Sequence, residues 1–122
     1  MKQYTLLTVL VLFLCTACET DPVRHQIPDL AFGRGVFIVN EGQFLSSNAS
    51  LSYYDPLADS VTNHVFRQAN QVPLGDVAFS MAVNADEAYI VVNNSGRIYR
   101  VSLEDMNFIG KITGLTSPRY IL

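Results

Sequence analysis

The sequence has little of the chemistry that enzymes and nucleic-acid-binding proteins commonly use. It contains no tryptophan, two histidines and two cysteines. Charged residues make up 16% of the chain, and the net charge is −3. A mildly acidic chain lacks the clustered basic surface that nucleic acids require, so we predict no nucleic-acid partner. The longest apolar run, at residues 4–14, is too short for a membrane-spanning helix, which needs about 20 residues.

No catalytic or metal-binding motif stands out. The histidines, His25 and His64, have no spacing to Ser and Asp that would predict a catalytic triad. The glycine patterns of phosphate-binding and dinucleotide-binding loops are absent. Cys15 and Cys18 have a C-x-x-C spacing, but they lie at the end of the apolar run and no second pair exists. We therefore predict a protein that is not an enzyme and that holds no metal or cofactor.

The N-terminus has the pattern of an export signal. One cation, Lys2, precedes the apolar run, whose length fits the hydrophobic region of a secretory signal peptide. The run ends before Ala17 and Cys18, which resembles a bacterial lipoprotein signal with Cys18 as the lipidated residue, although Cys15 stands where an aliphatic residue is usual. An ordinary cleaved signal with a chance cysteine is the alternative. We predict a signal peptide at 1–17 and a lipidated N-terminus with a tether at 18–34.

The rest of the chain is predicted to form short β-strands. Runs of β-branched and aromatic residues, each about 4–6 residues long, alternate with turns rich in Asn, Asp, Gly and Pro. No segment keeps apolar residues at helical spacing over several turns, and the weak stretch 63–71 is the longest that is compatible with a helix. The pattern predicts an all-β fold.

Two parts of the chain repeat each other. The matching runs are 36–40 with 88–92, 51–55 with 98–102, and 61–65 with 108–112. A period near 40–50 residues with four short strands is typical of a β-propeller blade. The second copy supplies four strands, A to D, at 79–83, 88–92, 97–102 and 108–113. The first copy supplies only B, C and D.

The predicted organisation is an incomplete propeller with fewer than two full four-stranded antiparallel blades. Blade one occupies 35–66, blade two occupies 79–113, and 118–122 is the start of blade three. Seven blades would need roughly 300 residues. We therefore expect an N-terminal fragment of a longer protein, or a truncated form, that is left with open strand edges.

Several stretches in this region resemble a known family. They are VFIVNEGQF, NASLSYYDP, PLGDVAFSM, AYIVVNNSGRI and ITGLTSPRYI, and they are similar to the N-terminal part of the YncE/YVTN-like β-propeller surface lipoproteins of gut Bacteroidales. The resemblance covers residues 35–122. Some members bind cobalamin (vitamin B12) at the cell surface and work with an outer-membrane transporter. The resemblance thus implies a surface-exposed, lipid-anchored outer-membrane protein, with cobalamin as the expected ligand and a transporter as the expected partner.

Ligand-binding residues are expected on one face of the blades. In a propeller the B–C and D–A loops share a face, and the first copy has long loops there, at 41–49 and 67–77. Long loops on a rigid scaffold commonly carry binding residues. The candidates are Asn40, Glu41, Gln43, Phe44, Arg67, Gln68, Asn93, Asn94 and Arg119. Their amides, charges and aromatic ring suit a large polar ligand such as a corrinoid or an oligosaccharide. Alternatively, the asparagines only form turns and Phe44 is buried beneath its loop.

Three functions stay open at this level. The first is a surface lipoprotein that captures a small nutrient, with cobalamin as the leading ligand. The second is an envelope scaffold that binds protein or glycan. The third is a propeller-type envelope enzyme, a lyase or lactonase, whose catalytic groups lie in blades outside this sequence.

Overall fold

The computed structural model describes residue 32 and residues 34–122. The predicted signal peptide, the lipidation of Cys18 and nearly all of the tether lie outside the described residues. The elements in chain order are β1 (Val36–Asn40), β2 (Ser50–Asp55), β3 (Ser60–Thr62), α1 (Val65–Asn70), β4 (Ala78–Asn84), β5 (Glu87–Val92), β6 (Arg97–Ser102) and β7 (Phe108–Thr113). Within this part of the chain, no helix is long and apolar enough to cross a membrane.

The strands form two antiparallel sheets in which sequence neighbours are spatial neighbours. Sheet one has the order β1-β2-β3, and sheet two has the order β4-β5-β6-β7. The strand positions of the second copy match those of β4 to β7 within one residue at each end. The fold is therefore all-β and consists of incomplete propeller-like blades, as the repeat predicts.

The core lies between one face of each sheet. Strand side chains alternate between the two faces, so Leu51 and Tyr53 share the inner face of sheet one, where they are 0% and 4% exposed. Ile90 and Tyr99, which are register partners on β5 and β6, form the facing layer of sheet two. An aromatic cluster of Phe32, Phe37 and Tyr53, with ring centroids 4.8–5.1 Å apart, closes the inner face at one end.

The prediction of the third strand of blade one, which the repeat places at 61–65, is wrong beyond Thr62, because β3 ends there and the chain turns into α1. The neighbours Val65 and Phe66 are both buried, at 2% and 1% exposure. An edge strand with one open face would expose one of the two, whereas a helix can direct both toward the core. Gln68 supports the start of the helix by donating its amide to the carbonyl of Asn63 at 2.6 Å. His64 is exposed and immediately precedes this helix.

The segment 118–122 does not form the predicted strand of a third blade. It lies against the beginning of β4, where the Ser80 hydroxyl donates to the carbonyl of Arg119 at 2.6 Å. The Tyr120 ring packs edge-on against Phe79 at 5.4 Å. Pro118 has no N–H to donate to a ladder, and the segment pairs with no strand of either described sheet.

Each sheet also has an outward face that carries apolar side chains. On sheet one these include Val36, Ile38 and Val61, which are 40–55% exposed. On sheet two, Ile98 and its register partner Ile112 lie on the outward side, and Ile112 is 56% exposed. The inner faces of the two sheets are therefore buried against each other, and the outward face of each sheet carries apolar side chains that are exposed.

Candidate ligand-binding loop face

Three loop segments meet at one edge of the two sheets. They are the β1–β2 loop at 41–49, the segment 71–77 before β4, and the β5–β6 turn at 93–96. The Ala49 N–H donates to the Gly75 carbonyl at 3.1 Å, and the Ala78 N–H donates to the Glu41 carbonyl at 3.3 Å. The Asn93 N–H donates to the Val77 carbonyl at 2.7 Å. The structure thus brings the B–C and D–A loops together, as the propeller prediction requires, and we call this edge the loop face.

A carboxylate that the sequence prediction missed lies at the centre of the loop face. Asp76 is 6% exposed. Its Oδ2 accepts hydrogen bonds from the Leu45 N–H at 2.9 Å and from the side-chain amide of Asn94. Its own N–H donates to the Ser95 hydroxyl at 2.9 Å. One side chain therefore connects all three loop segments.

The second oxygen of this carboxylate, Oδ1, is buried and has no hydrogen-bond partner among the described residues. The one ion pair in the described part of the chain joins Arg100 to Glu87, so no cation neutralises Asp76 there. A buried carboxylate without a counter-ion is costly. No sequence signal indicated this role, because Gly75-Asp76 reads as ordinary turn chemistry.

Backbone strain accompanies the buried carboxylate. Val77 has a φ of 60°, a conformation that is an outlier for a β-branched residue. Strained residues of this kind persist only where their surroundings hold them in place. Here the Asn93 N–H donates to the Val77 carbonyl, and the Asp76 N–H donates to the Ser95 hydroxyl, so hydrogen bonds hold the backbone on both sides of the Val77 Cα. The loop face is thus held in a specific geometry.

Glu41, Gln43 and Phe44 lie on the exposed loop 41–49, in agreement with their predicted position. Phe44 is 63% exposed, so it is not buried beneath the loop. The Gln43 N–H donates to the side chain of Asn48 at 2.7 Å, which folds the loop onto itself. The side chains of Glu41 and Gln43 have no hydrogen-bond partner among the described residues, so they are available at the surface.

Asn40 and Asn93 have structural partners. The Asn40 amide donates to the hydroxyls of Ser50 at 3.2 Å and Ser52 at 3.0 Å, on the outward face of sheet one. The Asn93 amide donates to the Pro118 carbonyl at 2.8 Å. Both side chains are therefore engaged in hydrogen bonds within the protein. Asn94 is exposed, but its amide is engaged with Asp76.

The remaining candidates lie at the margins of the loop face. Arg67 lines a cavity of about 100 Å³ between α1 and the loop residues Ser47 and Asn48. The side-chain amide of Gln68 donates to the carbonyl of Asn63, just before the start of α1. Arg119 is exposed, with its guanidinium 5.4 Å from the centre of the Phe79 ring.

The cavity beside Arg67 is smaller than the pockets that enclose organic ligands, which measure about 300–1,000 Å³. The cavity is therefore too small to enclose a large ligand. Across residues 34–122, no group of three or more His, Cys, Asp or Glu side chains is arranged to hold a metal ion.

Comparison with known proteins adds no identification. No protein-family model matches the chain, and no curated protein matches it.

Proposed function

We propose that the chain is part of a non-catalytic surface lipoprotein that captures a ligand on its loop face, with cobalamin or a related corrinoid as the ligand and an outer-membrane transporter as the partner. The observation that supports capture is Phe44, an aromatic side chain that is 63% exposed on a fastened loop. Exposed large apolar side chains on ordered loops are common at binding sites, because ring contacts provide affinity at little entropic cost. The choice of cobalamin depends on the family resemblance.

The geometry favours a broad ligand over a small one. Glu41, Gln43 and Phe44 present free side chains along one loop, and the adjoining cavity is small. A ligand with many amide and carbonyl groups could contact this surface at several points. The corrin ring carries such groups around its edge and offers a flat apolar centre to an aromatic side chain.

Calorimetric titration of the full chain with cyanocobalamin tests this proposal. We expect binding at micromolar protein and about tenfold weaker binding for Phe44→Ala, which corresponds to about 1.4 kcal/mol. Leu57→Ala is the matched control, because Leu57 is also an exposed apolar residue (82%) but lies in the β2–β3 turn. Absence of heat would refute cobalamin capture. An equal loss of affinity in both variants would refute the role of Phe44.

Lipid anchoring is a separate part of the proposal and has its own test. The signal pattern that ends at Cys18 supports it. Cys18→Ser should move the protein from the membrane fraction to the soluble fraction of cells, whereas Cys15→Ser should leave it at the membrane. Membrane retention of the Cys18 variant would contradict lipidation at this residue.

A further inference from the structure

A groove of about 440 Å³ runs between α1, with residues 72–73 that follow it, and the outer strands β6 and β7. None of the candidate residues of the loop face lines it. The groove exists where β3 ends early, at Thr62, while β7 continues to Thr113. Sheet one therefore leaves part of β6 and β7 uncovered, and α1 forms the opposite wall.

The floor of the groove is aromatic. Phe66 of α1 and Tyr99 of β6 are 1% and 6% exposed, with ring centroids 4.9 Å apart. Phe108 of β7 meets Tyr99 edge-on at 6.1 Å and is 47% exposed. Phe108 thus offers an exposed ring to a flat apolar group, supported by the two buried rings beneath it.

The wall formed by α1 is fastened to β7 by a single side chain. The Asn70 amide donates to the Met106 carbonyl at 2.9 Å, and its Oδ1 accepts from the Phe108 N–H at 2.8 Å. These two hydrogen bonds therefore hold the end of α1 beside the start of β7.

Two cations stand at the groove with no acidic neighbour in its lining. Arg97 and Lys111 lie on the same face of β6 and β7, because Lys111 is the register partner of Tyr99 and Arg97 precedes Tyr99 by two residues. Arg97 donates to the Tyr99 hydroxyl at 3.1 Å and to the Ser95 carbonyl at 3.3 Å. Neither cation pairs with a carboxylate of the described residues, although the chain as a whole is acidic.

We propose that this groove is a second binding site, which takes a small organic anion with a ring-sized apolar body. The exposed ring of Phe108 would contact the apolar body, and Arg97 and Lys111 would hold its carboxylate, sulfonate or phosphate group. The groove volume lies within the usual range of ligand pockets, about 300–1,000 Å³. The site is independent of the function proposed for the loop face.

Titration of the ¹⁵N-labelled full chain with naphthalene-2-sulfonate, followed by NMR, tests the proposal. We expect the largest amide shifts at α1, β6 and β7. The neutral analogue naphthalene-2-sulfonamide should bind about tenfold more weakly, because it lacks the charge that the two cations attract. Arg97→Gln and Lys111→Gln should each weaken binding of the sulfonate, and Arg97→Lys should retain most of the affinity.

Arg34→Gln is the control for net charge, since Arg34 is exposed and lies at neither site. Its affinity for the sulfonate should stay at the wild-type value, and the amide spectrum of each variant shows whether it is folded. Equal affinity for sulfonate and sulfonamide would overturn the proposal. So would shifts confined to other parts of the chain, or an equal effect of Arg34→Gln and Arg97→Gln.

Discussion

Replacing Asp76 tests whether one buried carboxylate holds the loop face in its geometry. Asp76→Ala removes the acceptor of the Leu45 N–H and of the Asn94 amide. Asp76→Asn keeps an acceptor of the same shape but removes the charge. The two variants therefore separate the hydrogen bonds from the burial of the charge.

The expected effect is local. A hydrogen bond to a charged group contributes about 1.5–3 kcal/mol, and a neutral one about 0.5–1.5 kcal/mol. Loss of the bond in Asp76→Ala should therefore speed hydrogen exchange at Leu45 by about 10- to 100-fold, at about 1.4 kcal/mol per tenfold change. Asp76→Asn should speed it by less than about tenfold. The free energy of unfolding should change less than these bonds suggest, because removal of an unneutralised buried charge offsets part of their loss.

Amide exchange measured by NMR provides the assay. Leu45 is the reporter, and Leu103 is the internal control, because its N–H donates to the backbone carbonyl of Asp86 at 2.8 Å and not to Asp76. Exchange at Leu103 should match the wild type in both variants. If Leu45 exchanges at the wild-type rate in Asp76→Ala, Asp76 does not hold the loop.

Three further predictions concern stability and charge. Gly35→Ala should lower the free energy of unfolding by about 1–3 kcal/mol, because an added Cβ would lie 2.1 Å from the buried ring of Tyr53; an unchanged urea midpoint would contradict this. Asn70→Ala should lower the free energy of unfolding by about 2–3 kcal/mol in chemical denaturation, since it leaves the Met106 carbonyl and the Phe108 N–H without this side-chain partner; a loss below 0.5 kcal/mol, on the order of a surface substitution, would contradict it. The hydrogen bond from Arg100 lowers the pKa of Glu87, so this pair stabilises the fold above the ordinary glutamate pKa, and the contribution is lost as the pH falls through the lowered value. Arg100→Gln should raise the pKa of Glu87 in an NMR titration, and an unchanged value would contradict the assignment.

The strands could be predicted from sequence because their turns are chemically distinct. Asn84 to Glu87 and Asn93 to Gly96 separate runs of alternating apolar residues, and the structure places β4, β5 and β6 between these turns. The segment after Thr62 could not be predicted in the same way. Val65 and Phe66 fit a strand by composition, and only their joint burial in the core distinguishes a helix.

The sequence predicts where the loop face lies, but it does not predict the hydrogen bonds of Asp76 at its centre. Propeller connectivity is sufficient to place the long loops at one edge, and this edge contains the exposed Phe44. The partners of Asp76 are distant in sequence, at Leu45 and Asn94, so no local pattern reveals them. Similarly, nothing in the sequence indicates that Asn40 would be engaged by serines on β2.

The two sheets pack against each other through faces that are not equivalent in the repeat. Leu51, on the buried face of sheet one, corresponds in the repeat to Ile98, which lies on the outward face of sheet two. The two sheets therefore meet through unlike faces, and a further sheet that packed in the same way on sheet two would be added on the side of Ile98. Contacts between unlike faces generate either a closed ring or an open-ended series, depending on the rotation from one unit to the next. If further sheets packed in the same way, the angle between successive sheets would determine how many of them complete a ring.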